Sequence, residues 1–157
     1  MKIYEYEQPD LPEDYVDVYY RRKTREITEL LDDLKKHRQK LVGKADGKEI
    51  FFSLQNVYYF ESVDKKTFAC LEQEVVQISV SLQDLEHAYF ELGFVRVNKS
   101  TIINVYKIDV LKPELNMRVT ALLDNGERIR INSSYKKKFN LFLNSVDKGG
   151  FRIENRE

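Results

Sequence analysis

From Lys40 to Ile131 the chain is cut into short β-prone runs by tight turns, and this punctuation restricts the fold more than anything else in it. Leu41–Ala45 and Glu49–Ser53 flank Asp46-Gly47. That pair is a two-residue hairpin signal, because both turn positions need a left-handed backbone that Asp and Gly tolerate. Val57–Val63 and Thr67–Leu71 flank the charged turn Asp64–Lys66, and Val75–Val80 follows a turn at Glu72–Glu74. Ile108–Lys112 and Met117–Leu123 read as strands broken by Pro113–Asn116. Asp124-Asn125-Gly126 turns the chain back into Glu127–Ile131. A chain patterned this way must fold as a β-rich domain.

Helices punctuate the strands. Ser81 caps a short helix reaching about Leu92, with Asp84 three residues on and Leu82, Leu85 and Tyr89 as its buried stripe. Gly93 ends it as a C-cap glycine would. Ser134 to Val146 is expected to be the last helix, with Tyr135, Phe139, Phe142 and Leu143 on one side. Residues 1–39 read as a separate strand–strand–helix extension. Ile3–Glu7 and Tyr15–Tyr20 are its strands, QPDLPED its loop, and Thr24–Gln39 its helix. Ile27, Leu30, Leu31, Leu34 and then Leu41 fall at helical spacing there, a stripe that must be covered by the extension itself, the main domain or a second chain. Residues 40–146 form the main domain, and residues 147–157 a flexible tail.

Composition narrows the functional classes. No apolar run reaches the roughly 20 residues that cross a bilayer, and the acidic start MKIYEYEQPD is no signal peptide. A cytoplasmic protein is expected, in keeping with the single Cys70, which reads as a buried inert thiol in TFACL. His37 and His87 each sit amid charge on a helix and read as solvated. There is no zinc spacing, phosphate-binding glycine loop or nucleophile elbow. Glu61 is the best candidate for a tuned carboxylate, and strand alternation explains it more cheaply. No enzyme activity, metal or cofactor is expected.

Charge is the remaining clue. The formal net charge is zero, yet residues 1–17 hold one Lys against six acids, and residues 93–138 hold ten Lys or Arg against four. A polyanion answers to the local field rather than to the total. The basic half contains FVRVNKSTIINVYKI, Phe94 to Ile108, in which Arg96 and Lys99 stand beside Asn98, Ser100, Thr101 and Asn104. Cations for phosphates next to amides and hydroxyls for base edges suit a nucleic-acid surface. A solvated turn leading into a core strand is the bland alternative.

Four landmarks, in order, resemble the LytTR family of bacterial DNA-binding domains. They are VYYFES at Val57–Ser62, SLQDLE at Ser81–Glu86, the Phe94–Ile108 stretch, and LDNGERIRINSSYKKKF at Leu123–Phe139. The third resembles the family's FxRVHRSYIVN, the fourth its NGxxIPVSRRYKKxF. The resemblance spans about Lys40 to Val146. It implies a compact, mostly β (α+β) multi-sheet domain with short helices, whose loops enter successive major grooves of double-stranded DNA. It implies base or phosphate contacts at Asn98, where the family has histidine, at Asn125, and at Ser133-Ser134, where the family has arginines. Lys99 and Tyr135-Lys136-Lys137 keep the family pattern. Loss of the arginine pair removes the side chain best suited to guanine or phosphate, and Arg130, Lys136 or Lys137 could take over that contact.

These observations give a set of expectations. The chain is a stand-alone, sequence-specific transcriptional regulator without a receiver domain, acting as a homodimer through residues 1–39. Lys99, Lys136 and Lys137 hold phosphates, while Asn98, Asn125, Ser100 and Ser133 read bases. Arg96 either contacts DNA or bonds a loop carbonyl. The rival reading is a β-rich protein-interaction module that has lost DNA binding.

Overall fold

The computed structural model describes residues 1–37 and 39–145, together with the backbone of residues 152–153. The tail expected at 147–157 otherwise lies outside the described residues. The first helix, α1, is Arg25–His37. Ten strands follow: β1 Lys40–Ala45, β2 Lys48–Ser53, β3 Tyr59–Val63, β4 Lys66–Cys70, β5 Val75–Ile78, β6 Phe94–Asn98, β7 Thr101–Asn104, β8 Ile108–Pro113, β9 Val119–Leu123 and β10 Arg128–Ile131. Helix α2, Leu82–Tyr89, lies between β5 and β6, and α3, Ser133–Ser145, follows β10. Most strands run as antiparallel hairpins in two sheets. The larger has seven strands in the order β2-β1-β5-β4-β3-β7-β6. The smaller orders β10-β9-β8, with residues 152–153 pairing in parallel with Val110–Leu111 as its fourth strand.

The β6–β7 hairpin joins the two cores. Period-two alternation sends neighbouring side chains to opposite faces. Phe94 and Ile102 therefore join Phe60, Val76, Leu82 and Leu85 beneath α2. Val95, Val97 and Ile103 join Leu111, Leu123, Ile131, Phe139 and Phe142 on the other side. Apolar on both faces, this hairpin is held from both sides, which fixes the position of its tip. The caps work as the sequence indicates: Ser81 Oγ accepts the Asp84 amide at 3.1 Å, and Gly93 closes the segment at φ 96°. Cys70 is buried, and burial pushes its thiol up to about 11. His37 and His87 are both exposed.

The two strands expected at Ile3–Glu7 and Tyr15–Tyr20 are not formed, and residues 1–24 carry no helix or strand. Their Tyr and Val content favours strand only where a neighbour offers ladder hydrogen bonds and a face to cover. Nothing covers it here: Ile3, Tyr4, Tyr6, Tyr15, Val16 and Tyr19 are all exposed.

Helix α1 is anchored mainly through polar residues. Tyr106 Oη donates to Asp32 Oδ2 at 2.6 Å. Lys36, only 1% exposed, lies 4.6 Å over the Tyr106 ring and pairs with Asp33 at 3.2 Å. Burial lowers the Lys36 pKa against the opposing pull of Asp33. Ile27, Leu30 and Leu31 stay half-buried and Leu34 exposed. Tyr106→Phe removes the bond to the buried Asp32 carboxylate and is expected to cost about 1.5–3 kcal/mol. Hydrogen exchange should show faster exchange across α1 with the strands unchanged. Equal acceleration everywhere would contradict a local anchoring role.

Among the described residues no helix is long and apolar enough to cross a membrane.

Candidate nucleic-acid interface

Strand register brings several connections to one end of the molecule. Glu61 pairs with Thr101, and the Ser62 amide donates to the Ser100 carbonyl at 2.9 Å, so the β3–β4 turn and the β6–β7 turn share that end. Thr67 pairs with Ile78, which brings the exit of β5 there too. The Asn132 amide donates to the Val97 carbonyl at 2.9 Å, adding the end of β10 and the start of α3.

Asn98 organises the β6–β7 tip. Its Oδ1 accepts from the Ser100 amide at 3.0 Å and from the Ser100 hydroxyl at 3.2 Å, an Asx-type turn that closes the hairpin. Its Nδ2 donates to the Arg130 carbonyl at 3.3 Å, linking the two sheets. A bulge between Arg96 and Asn98 shifts the register here and bends the tip. Arg96 is turned inward along its own loop: its guanidinium donates to the carbonyls of Asn98 and Lys99 and lies 3.5 Å from Glu86. Of the two roles open to Arg96, the structure shows the carbonyl bond.

The remaining cations are free to meet a ligand. Lys99, Arg130 and Lys137 are exposed and Lys136 is half-buried. Lys99, Lys136 and Lys137 make no ion pair among the described residues. Ser133 and Ser134 are exposed at the first turn of α3, and Ser100 is half-buried beside Lys99. Lys138 is committed elsewhere, bridging to Glu86 and lying 4.9 Å over the Phe90 ring.

Asn125 stands apart from this group. It lies in the β9–β10 turn, where its Oδ1 accepts the Glu127 amide at 3.1 Å. That turn is beside Tyr58, whose hydroxyl donates to Asp124, at the far end of β10. Asn125 and Gly126 lie in the turn itself and β10 begins at Arg128, so Asn125 is under about 16 Å from Arg130. Asn98, Lys99, Ser100, Arg130, Ser133, Ser134, Lys136 and Lys137 thus gather at one end, and Asn125 marks the other end of the same strand. Between them runs a groove lined by Tyr59, Glu61, Asn98, Glu127, Arg128 and Arg130.

Sequence reasoning passed over the β3–β4 turn as merely charged. Lys65 and Lys66 stand at the crowded end, next to Lys99. The available signal was Asp64-Lys65 occupying a turn that elsewhere in the chain is built as Asp46-Gly47. Among the described residues, no group of three His, Cys, Asp or Glu side chains is placed to hold a metal ion.

Comparison with known proteins agrees with this architecture. Residues 47–144 match the family model described as the LytTr DNA-binding domain. The chain is 24% identical over 85 residues to the sensory transduction protein LytT of Enterococcus faecalis. That match covers 54% of this chain and 35% of the relative, so the chain spans about a third of that protein's length. It superposes with a TM-score of 0.64 and 29% identity on a solved LytTr DNA-binding domain from Bacillus cereus, taken from a protein described as a methyl-accepting/DNA response regulator. The superposition covers 68% of this chain and 97% of that domain. With two mostly antiparallel sheets, a doubly buried β6–β7 hairpin and a family match over residues 47–144, the chain belongs to the LytTR DNA-binding family.

Proposed function

We propose that this chain is a sequence-specific transcriptional regulator that lays its loops along one face of duplex DNA as a cytoplasmic homodimer, with no catalytic step and no cofactor. The observation that carries this reading is the gathering of Lys99, Arg130, Lys136 and Lys137 around the hairpin tip that Asn98 holds. Unpaired ammonium groups suit phosphates, and neighbouring hydroxyls and amides suit base edges. The hairpin tip and the Asn125 turn stand at opposite ends of β10, so both can face one duplex. The half-buried α1 stripe and the exposed tyrosines of residues 1–24 supply a surface for a second copy. Both relatives are named for signalling, and a regulatory role follows that likeness.

Repeated selection of bound duplexes from a random pool tests the reading. Enrichment of one motif is expected, with affinity falling steeply between low and moderate salt and two chains per duplex by sedimentation. A pool that stays random sinks specific recognition, and one chain per duplex sinks the dimer. A protein-interaction module draws on the missing arginine pair, the zero net charge and an Asn98 amide already bonded at both ends within the fold. Binding of that kind would change little with salt.

A further inference from the structure

The β3–β4 hairpin, the β5–α2 connection and the β6–β7 hairpin line an open groove of about 700 Å³ on the side of the tip away from β10. Lys65, Lys66, Arg96 and Lys99 line it with the hydroxyls of Ser62, Ser79, Ser81 and Ser100, and its lining includes no carboxylate. Arg96 is spent on loop carbonyls and Glu86. Lys65, Lys66 and Lys99 have no ion pair among the described residues. Ammonium and hydroxyl groups set in a wall that also carries Ile78, Val80 and Leu82 are chemistry for a phosphate.

A second observation is independent of the groove. Three of the chain's hairpin connections hold two successive left-handed residues. In the β1–β2 turn these are Asp46 at φ 50° and Gly47 at φ 74°. In the β3–β4 turn they are Asp64 at φ 50° and Lys65 at φ 64°. The third, between β8 and β9, holds Asn116 and Met117, both at φ 62°. Glycine adopts that geometry freely, whereas a side chain there is strained. Nothing lies within 4 Å of a Cβ built at Gly47, so the first turn takes glycine without steric need. The second turn, like the third with Met117, carries a strained side chain, and here it is a lysine on the rim of the basic groove.

We propose that this groove grips a backbone phosphate of bound duplex DNA through Lys65, Lys66 and Lys99, one phosphate track beyond the base-reading tip. The inference rests on the DNA-binding reading above and adds a contact to it. Lys99 and Ser100 belong to both surfaces, so the tip and the groove take up consecutive parts of one duplex. Lys65 carries no base information there; it sets register and strengthens salt dependence.

The test is fluorescence anisotropy with the selected duplex and a scrambled duplex, at several salt concentrations. Lys65→Gln should weaken both duplexes by the same factor and reduce the slope of log affinity against log salt by about 0.9. Lys65→Gly should show the same loss of binding and yet raise Tm by roughly 2–4 °C, because strain in the turn is relieved. Lys48→Gln, at the opposite end of the sheet, should change neither. Wild-type binding with Lys65→Gln unaltered in affinity and slope overturns this contact alone. So does a loss confined to the selected duplex, which would make Lys65 a base reader. A wild-type chain that binds no duplex overturns the parent reading and this one together.

Discussion

Replacing Asn104 with alanine should lower folding stability by roughly 2–4 kcal/mol, the largest stability loss expected from any polar substitution in the hairpin. Asn104 is 0% exposed at the end of β7, inside the barrier between the two cores. Its Nδ2 donates to the Val57 carbonyl at 2.9 Å, and its Oδ1 accepts the Tyr106 amide at 3.2 Å. Both partners are backbone groups that alanine cannot satisfy. A buried group left without a partner costs about 1–3 kcal/mol, and here two are exposed to that penalty at once. The backbone amide of Asn104 also donates to the Tyr58 carbonyl, and this bond survives the substitution. Urea denaturation should show a lower midpoint at unchanged slope. A loss under about 0.5 kcal/mol would mean that the amide does not organise this junction.

The second large effect falls on binding. Asn98→Ala should weaken the selected duplex by roughly 1–3 kcal/mol and flatten sequence preference, whereas Lys136→Ala should weaken all sequences alike. Alanine at 98 frees the hairpin tip from both Ser100 and the Arg130 carbonyl, so the tip loses its fixed orientation. Asn98→Asp separates orientation from charge. Its carboxylate still accepts the Ser100 amide and keeps the turn, but it offers no donor to the Arg130 carbonyl and sets a negative charge beside the phosphates. Binding should fall further than with alanine while amide protection at Ser100 persists. Equal effects of Asn98→Ala and Lys136→Ala on scrambled DNA would refute the division between reading and holding.

Much of this architecture is written in local chemistry. The Asp46-Gly47 turn, the Ser81 cap and the Gly93 stop each need only a few neighbouring residues, and each stands where the sequence puts it. Helix α1 likewise begins after Thr24, whose hydroxyl accepts the Ile27 amide at 3.3 Å. What local chemistry cannot specify is partnership. Tyr15–Tyr20 has the composition of a strand and no strand beside it. Nothing local to Asp32 and Lys36 marks them for burial, yet Tyr106 draws both inward from a point far along the chain.

The candidate site divides the same way. Its membership around the β6–β7 tip is legible because Asn98, Lys99 and Ser100 are adjacent in sequence. The inward turn of Arg96 is not, since the two carbonyls it meets converge only once the bulge in β6 has formed. Arg130 joins the tip through a contact between sheets that no spacing announces. Asn125 could be assigned to the site by resemblance, but its distance from the tip depends on the length and direction of β10.

The central claim is that the strand ends carrying Asn98–Ser100, Arg130 and Ser133–Lys137 meet the double helix. Amide chemical-shift mapping of the isotope-labelled chain, titrated with the selected duplex, tests it most directly. The account predicts the largest shifts at residues 98–100 and 130–137, smaller ones at 124–126, and none along β1 and β2. Shifts concentrated on β1, β2 or α1, with the hairpin tip silent, would contradict it.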